Sequence, residues 1–319
     1  MAAKFELKPG AATREAFGKA LMELGKKNPN VVALDADLSK STMSAGFAKE
    51  FPDRFIECGI AEANMVAIGA GLASAGKIPF AASFSAFLLN KGFEQLRVTA
   101  AFPNVNLKVV GTHSGISIGE DGPSQMSVED LSLACSLPGF TVLCPADEVS
   151  MMRLMHAAAE HVGPVFIRAG RAKVPVIYGS DQEFTIGKAV TLMNGADVTL
   201  IATGLLVAEA IRAAETLAAE GISARVLDFH TIKPLDRDAI AKAARETGAI
   251  VVAEEHLVDG GLGVRVAQVV AETSPVPMEF VGVQNTYAES ATPEQLIDKY
   301  GLLARDVAAA ARRVLKRKR

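Results

Sequence analysis

With 319 residues, half of them hydrophobic and 22% charged, the chain can bury a large core and is long enough for two domains of ordinary size. Its 33 basic and 36 acidic side chains are intermixed and leave a net charge of −3, so no positive field would gather nucleic acid or an anionic membrane, and neither is expected as a partner. Cys58, Cys135 and Cys144 contain no C-x-x-C pair, and no run approaches the roughly 18 apolar residues of a membrane span, so a cytoplasmic protein without disulfides or a zinc knuckle is expected.

The opening MAAKFELKPG lacks the apolar stretch of an export signal. A helix is predicted from Arg14 to Lys26, where Phe17, Leu21 and Leu24 share a face. Short runs follow, VVALD, FIECG, PFAASF, LKVVGTH, TVLCP and VFIRAG, that read as buried strands. Stretches of helical period lie between them, at Ala61 to Ala75, Phe87 to Ala101 and Glu148 to Ala159, each ending near Gly or Pro. From Arg171 to Gly187 the pattern breaks into RAKVPVIYGSDQEFTIG, which reads as a linker. A second series then begins, with strands VTLIATG, ARVLDF, AIVVAEE and MEFVGV and helices near Leu206 to Glu220, Asp236 to Thr247 and Gly263 to Thr273. The basic tail ARRVLKRKR suits a helix end whose cations offset the terminal dipole. The expected fold class is α/β in two domains, residues 1–180 and 187–319, each a mostly parallel sheet flanked by helices.

Open parallel sheets bind ligands beyond the carboxyl ends of their strands, where loops converge and helix N-termini point inward. By that rule Ser41, Glu62, Phe84, Phe87, His113, Asp121 and Arg171 fall on one edge of the first domain. Taken singly each has an ordinary reading. Ser41 in SKST suits a helix cap, Glu62 a helix start, the phenylalanines and His113 a core, and EDGP a turn. The surroundings of Glu62, IAEANMVAIGAGLASAG, are apolar enough to bury a carboxylate, and a buried carboxylate needs a partner or a task. His113 and Asp121 frame GTHSGISIGEDGPSQ, whose four glycines give the main chain room to pass close to a ligand. No metal site is expected: His156 and His161 do not share one helical face in the H-E-x-x-H manner, and no Asp, His and Cys cluster has ligand spacing. Neither a G-x-S-x-G elbow nor a Walker loop occurs, and GGLG at Gly260 reads as a tight strand-to-helix turn.

Together DRFIECGIAEANM, SFSAF, GTHSGISIGEDGPSQM and TIKPLD resemble transketolase over essentially the whole chain, matching the carboxyl-terminal part of that enzyme. The resemblance implies a pyrimidine-binding domain over 1–180 and a transketolase C-terminal domain over 187–319, in a separate subunit. The family's G-D-G motif is absent, so an N-terminal partner subunit, in an α2β2 heterotetramer, is implied to hold Mg²⁺ (or Ca²⁺) and the diphosphate of thiamine diphosphate. Glu62 is then the catalytic carboxyl group on the cofactor's aminopyrimidine, with Phe84 and Phe87 as the wall against which that ring packs. His113 is implied to be catalytic and to bind substrate, as Arg14, Ser41, Asp121, Gln125 and Arg171 are implied to bind a sugar phosphate. Two positions depart from the pattern. Asn90 stands where some transketolases carry another aromatic residue, and Gln125 where many carry a histidine; glutamine cannot carry a proton. The implied activity is transfer of a two-carbon ketol unit from a ketose phosphate, of the pentose phosphate pathway or a rarer phosphorylated pentulose, to an aldose, with no turnover in the absence of the partner. The alternatives are the β-subunit of a 2-oxoacid dehydrogenase, a deoxyxylulose-phosphate synthase, or a non-catalytic subunit that stabilises its partner. The second domain is expected only to pack the assembly.

Overall fold

The computed structural model describes residues 5–318. Among these, a first sheet of seven strands runs in the order Thr231–Lys233, Thr141–Leu143, Val165–Arg168, Lys108–Thr112, Ile78–Phe84, Val31–Asp35, Phe55–Glu57. Every neighbouring pair is parallel except Thr231–Lys233 with Thr141–Leu143. Alternate residues of one strand feed opposite faces. Val31 and Ala33 pack with Phe17 and Leu21 of helix Thr13–Lys27 and with Met151 and Leu154 of helix Glu148–Glu160. Val32 and Leu34 pack with Met65 of helix Glu62–Ser74 and with Leu88 of helix Ser85–Gln95. Both faces are covered, which is why the central strands read as unbroken apolar runs.

The second sheet has the order Met278–Val283, Ile250–Leu257, Val198–Ala202, Ala224–Asp228, Val190–Met193, with only the last strand antiparallel. Helices Leu206–Ala219 and Ala304–Arg317 cover one face, and Arg237–Thr247 and Leu262–Thr273 the other. Among the described residues the basic tail is helical to Arg317. Its Arg312 pairs with Glu220, while Arg313 and Arg317 pair with Glu279.

Three features differ from the sequence reading. The stretch read as a linker holds strand Lys173–Val176, which pairs antiparallel with Lys8–Ala12 near the start of the chain. Pro175 sits opposite Pro9 there, and a strand whose proline lacks a donor lies in a two-stranded ribbon rather than within a sheet. The segment TIKP, in the second half, lends Thr231–Lys233 to the sheet of the first. The helix expected from Phe87 begins at Ser85 and is regular only to Gln95, continuing as a wider turn over Leu96–Ala101. One apolar cluster crosses between the halves, joining Leu131 and Phe140 to Leu227, Ile240 and Val266.

Candidate active site

The cluster is built from the start of one helix and the ends of several strands. Helix Thr13–Lys27 is fastened at its first turn to the residues just past strand Val165–Arg168: the Gly170 N–H donates to Thr13 Oγ1 at 2.7 Å and the Arg14 N–H to Gly170 O at 3.3 Å. That places the Arg14 guanidinium beside the next two strand ends. Its Nη1 donates to the Ser41 carbonyl at 2.7 Å and to His113 Nε2 at 3.2 Å, while its Nε is buried with no hydrogen-bond partner. Ser41 lies inside the short helix Ser39–Thr42 and caps nothing. Asp35, at the end of its strand, fixes that turn by accepting from the Leu38 N–H at 2.7 Å, Thr42 Oγ1 at 2.6 Å and Ser44 Oγ at 2.8 Å. Sequence reasoning missed Asp35; the signal was an aspartate ending a buried strand.

His113 is 2% exposed and holds φ at 55°, a left-handed conformation that histidine adopts more readily than bulkier residues. Arg14 can only donate, so His113 Nε2 accepts and the ring proton sits on Nδ1. From Nδ1 it donates to Thr112 Oγ1 at 3.0 Å, which passes its own proton to Ser83 O at 3.2 Å. Burial first, then the guanidinia of Arg14 and Arg171, push His113 from its ordinary 6.5 down to about 3, so the ring is neutral throughout the physiological range. It stacks on Phe84 at 3.8 Å between centroids, and Phe84 stacks on Phe87 at 5.5 Å.

Glu62 begins its helix, as a residue answering the dipole would, yet it is only 2% exposed. Its carboxylate meets Lys91 Nζ at 3.3 Å, and the same ammonium lies 4.5 Å over the Phe87 ring. Lys91 follows Phe87 by one helical turn, a spacing that offered a sequence signal for it. Glu62, Phe87, Phe84, His113, Arg14 and Ser41 thus form one connected row.

The glycine-rich loop closes the row. Arg171 Nη1 donates to the Ile118 carbonyl, lies 3.2 Å from Glu120 and is 4.0 Å from Asp121. Burial and the neighbouring Arg171 lower the pKa of Arg14. Gln125 is half-buried at the loop's end, its main-chain N–H donating to Gly122 O at 3.1 Å, and no hydrogen bond among the described residues ties its side chain to His113 or Arg14. Asn90, in place of an aromatic, donates to Glu129 at 3.2 Å. The glycines of the loop also make room within the chain. Gly115 has φ of 80°, and a Cβ there would lie 2.2 Å from the Glu255 carboxyl carbon; a Cβ at Gly122 would lie 2.5 Å from Ser290 Oγ and one at Gly119 3.0 Å from Pro293. The backbone passes close to the second domain itself.

Residues 9–176 match the family "Transketolase, pyrimidine binding domain", and residues 187–307 match "Transketolase, C-terminal domain". The chain belongs to the transketolase family. It is 42% identical over 305 residues to the 6-deoxy-6-sulfo-D-fructose transketolase subunit SqwH of Clostridium sp. (strain MSTE9), covering 96% of this chain and 95% of that one. It is also 42% identical over 305 residues to the transketolase of Homo sapiens, of which it spans 48%. A solved structure described as a split gene transketolase, inactive beta4 tetramer, shares 48% identity and a TM-score of 0.91 over 97% of this chain and 100% of that one. These matches make the chain a C-terminal subunit of the split transketolase kind, a family dependent on thiamine diphosphate and a divalent metal, and they do not favour the other thiamine enzymes or a non-catalytic role. Among the described residues no helix is long and apolar enough to cross a membrane.

Proposed function

We propose that Glu62, Phe84 and Phe87 hold the aminopyrimidine of thiamine diphosphate, and that Arg14, His113, Asp121 and Arg171 grip a ketose phosphate whose two-carbon ketol unit passes to an aldose. The observation that carries this reading is the pair of guanidinia. Burial, and after it the neighbouring Arg171, lower the pKa of Arg14, and its Nε is buried with no partner among the described residues, an arrangement that an anion would relieve. The cofactor fits the other end of the row. A buried carboxylate has about four acceptor positions, and among the described residues Glu62 meets only Lys91, which leaves room for donors on a flat ring packed against the phenylalanine wall.

Thiamine diphosphate, when bound, supplies an acidic ring carbon that its own imino tautomer deprotonates and that serves as an electron sink. Glu62 shares a proton with the pyrimidine nitrogen and favours that tautomer. A sugar phosphate on the Arg14 fork draws the guanidinium away from His113 Nε2. The neutral imidazole can then accept a proton from a sugar hydroxyl, while Nδ1–H stays tied to Thr112 and fixes the ring. Asp121 accepts from a second hydroxyl, Ser41 contributes through the carbonyl that aims Arg14, and Gln125 donates without moving a proton. A partner N-terminal subunit holds the Mg²⁺ (or Ca²⁺) and the diphosphate in an α2β2 assembly, to which this chain brings a pyrimidine-binding domain over 1–180 and a C-terminal domain over 187–319. Three free thiols suit the cytoplasm.

Reconstitution tests the reading. The chain mixed with thiamine diphosphate, Mg²⁺ and xylulose 5-phosphate is expected to turn over nothing alone and to gain activity when the N-terminal subunit is added. A 6-sulfo ketose is run beside it, since a sulfonate also suits two guanidinia and the Clostridium relative is named for such a sugar. Activity of the chain alone, or none with the partner on either sugar, overturns the proposal.

A further inference from the structure

Arg168, at the end of strand Val165–Arg168 and three residues before Arg171, is buried at the seam between the domains. Its Nε donates to Asp130 Oδ2 at 2.8 Å, and its Nη2 donates to the Glu255 carbonyl at 2.9 Å and to Ser127 O at 3.3 Å. Two branches leave this hub. Asp130 is fully buried, and the same Oδ2 accepts from Ser85 Oγ at 2.9 Å. Ser85 follows Phe84 and opens the helix that carries Phe87. The other branch is Glu255 of the second domain, whose Oε2 lies 3.9 Å from Arg168 Nη1 and whose Oε1 accepts the main-chain N–H of Ser117 at 2.6 Å. Ser117 lies within the loop between His113 and Asp121, where Gly115 gives the carboxylate its space. A buried ion cluster of this kind is weak evidence for stability, since hydrophobic side chains of equal volume often do as well; its better-attested use is to fix one arrangement. Here the arrangement fixed is the site on both sides of the row.

We propose that Glu255 and Asp130 are positioning residues of the active site: Glu255, from the second domain, sets the loop that presents Asp121 opposite Arg171, and Asp130 sets the aromatic wall through Ser85. The separation of the two branches makes separate demands. The Glu255 branch ends on groups that grip substrate, and the Ser85 branch on groups that hold cofactor. What those groups bind rests on the transketolase reading, but the mechanical coupling does not.

The test compares Glu255→Ala, Glu255→Asp, Glu255→Gln and Ser85→Ala chains in the complete complex with the N-terminal subunit. Glu255→Ala is expected to raise KM for the ketose phosphate about ten-fold and to leave the Kd for thiamine diphosphate within about two-fold, and Ser85→Ala to do the reverse. Glu255→Asp keeps the charge but draws it back from Ser117, and gives the Glu255→Ala pattern at smaller size. Glu255→Gln retains an acceptor and restores KM. Amide hydrogen exchange across residues 117–125 rises in Glu255→Ala and Glu255→Asp and is unchanged in Ser85→Ala. Equal movement of both constants in every variant, or unchanged exchange with only a lower melting temperature, overturns the proposal. A wild-type complex that turns over no ketose phosphate sinks the functional reading instead, and the exchange comparison then decides the coupling by itself.

Discussion

In the first sheet the strand ends carry Asp35, Phe84, His113 and Arg168, and beyond them Arg171 and Asp121 each keep about a third of their side chains in solvent. The second sheet is built the same way and ends in Thr203, Asp228, His230, Glu254, Glu255 and His256, all of them buried. The first domain covers this second row. Cys144 donates its N–H to the His230 carbonyl at 2.8 Å, Tyr178 donates to Asp228 at 2.5 Å, and the Ser117 and Ser132 amides donate to Glu255 and His256. Glu254 is used within its own domain, accepting the Leu262 and Gly263 N–H groups at the start of their helix. The rule that parallel sheets gather polar residues at their carboxyl edges therefore locates two places but one site. In the second place the occupant is the neighbouring domain.

The contrast is broken most severely at two of the buried carboxylates, Glu62 and Asp130. Glu62→Ala in the assembled enzyme is expected to lower turnover by about a hundred-fold or more, since the proposed role of Glu62 is to share a proton with the cofactor. It should barely move the melting temperature, because a single Lys91 contact is lost. Asp130→Ala strands the Arg168 guanidinium without its carboxylate and is expected to cost about 3–5 kcal/mol in denaturant unfolding. If Glu62→Ala unfolded the chain and left the specific rate of the remainder intact, the first row would be a structural seam like the second.

Arg14→Ala should act less strongly, lowering kcat/KM about ten-fold through the lost fork. It also has a signature at His113. The folded pKa near 3 lies below the ordinary 6.5, so His113 contributes stability that is fully present above about pH 6.5 and is lost as pH falls toward 3. Removing one of the two guanidinia that repel the imidazolium raises the folded value toward 6.5 and narrows that window. NMR titration of His113 should show the rise, and urea midpoints at pH 7 and pH 4 should lie closer together in the variant. An unmoved His113 would mean that burial and Arg171 hold it neutral without Arg14.

How far the sequence reaches follows the same division. The alternation of Val31 and Ala33 with Val32 and Leu34 is local, and it predicts a covered parallel strand without knowledge of what covers it. The strand-end rule then collects Ser41, Glu62, Phe84, Phe87, His113, Asp121 and Arg171, because each ends a parallel strand or lies in the segment that follows one. Arg14 follows no parallel strand and was reached only through the family resemblance. Contacts between distant segments left weaker traces. Pro175 disguised a strand whose partner lies at Lys8–Ala12, and Thr231–Lys233 crosses to a sheet that its neighbours in sequence do not join. VFIR and VVAEEH contain charges in apolar runs, which was a usable sign of a buried pair, but nothing local says that Arg168 and Glu255 meet. For the same reason nothing local says that Gly115, Gly119 and Gly122 pack against Glu255, Pro293 and Ser290.

The smallest effect on turnover is expected in the second row, at Asp228. Its Oδ2 accepts the Tyr178 hydroxyl, its Oδ1 has no partner, and burial with Asp147 nearby pushes it from the ordinary 3.8 up to about 7. A raised value means that the folded chain holds the proton more tightly than the unfolded one. The stability Asp228 lends is fully present below about pH 3.8 and is lost as pH rises through 7. Asparagine keeps an acceptor for Tyr178 and never ionises, so Asp228→Asn should gain on the wild type between pH 4 and pH 7 and then hold a lead of at most a few kcal/mol. Turnover at pH 7.5 should stay within about two-fold, because Asp228 is buried against Tyr178 and makes no hydrogen bond or ion pair to the proposed site residues. Loss of turnover in a variant that folds and assembles would put Asp228 in the catalytic row, and the two sheet edges would then serve one site together.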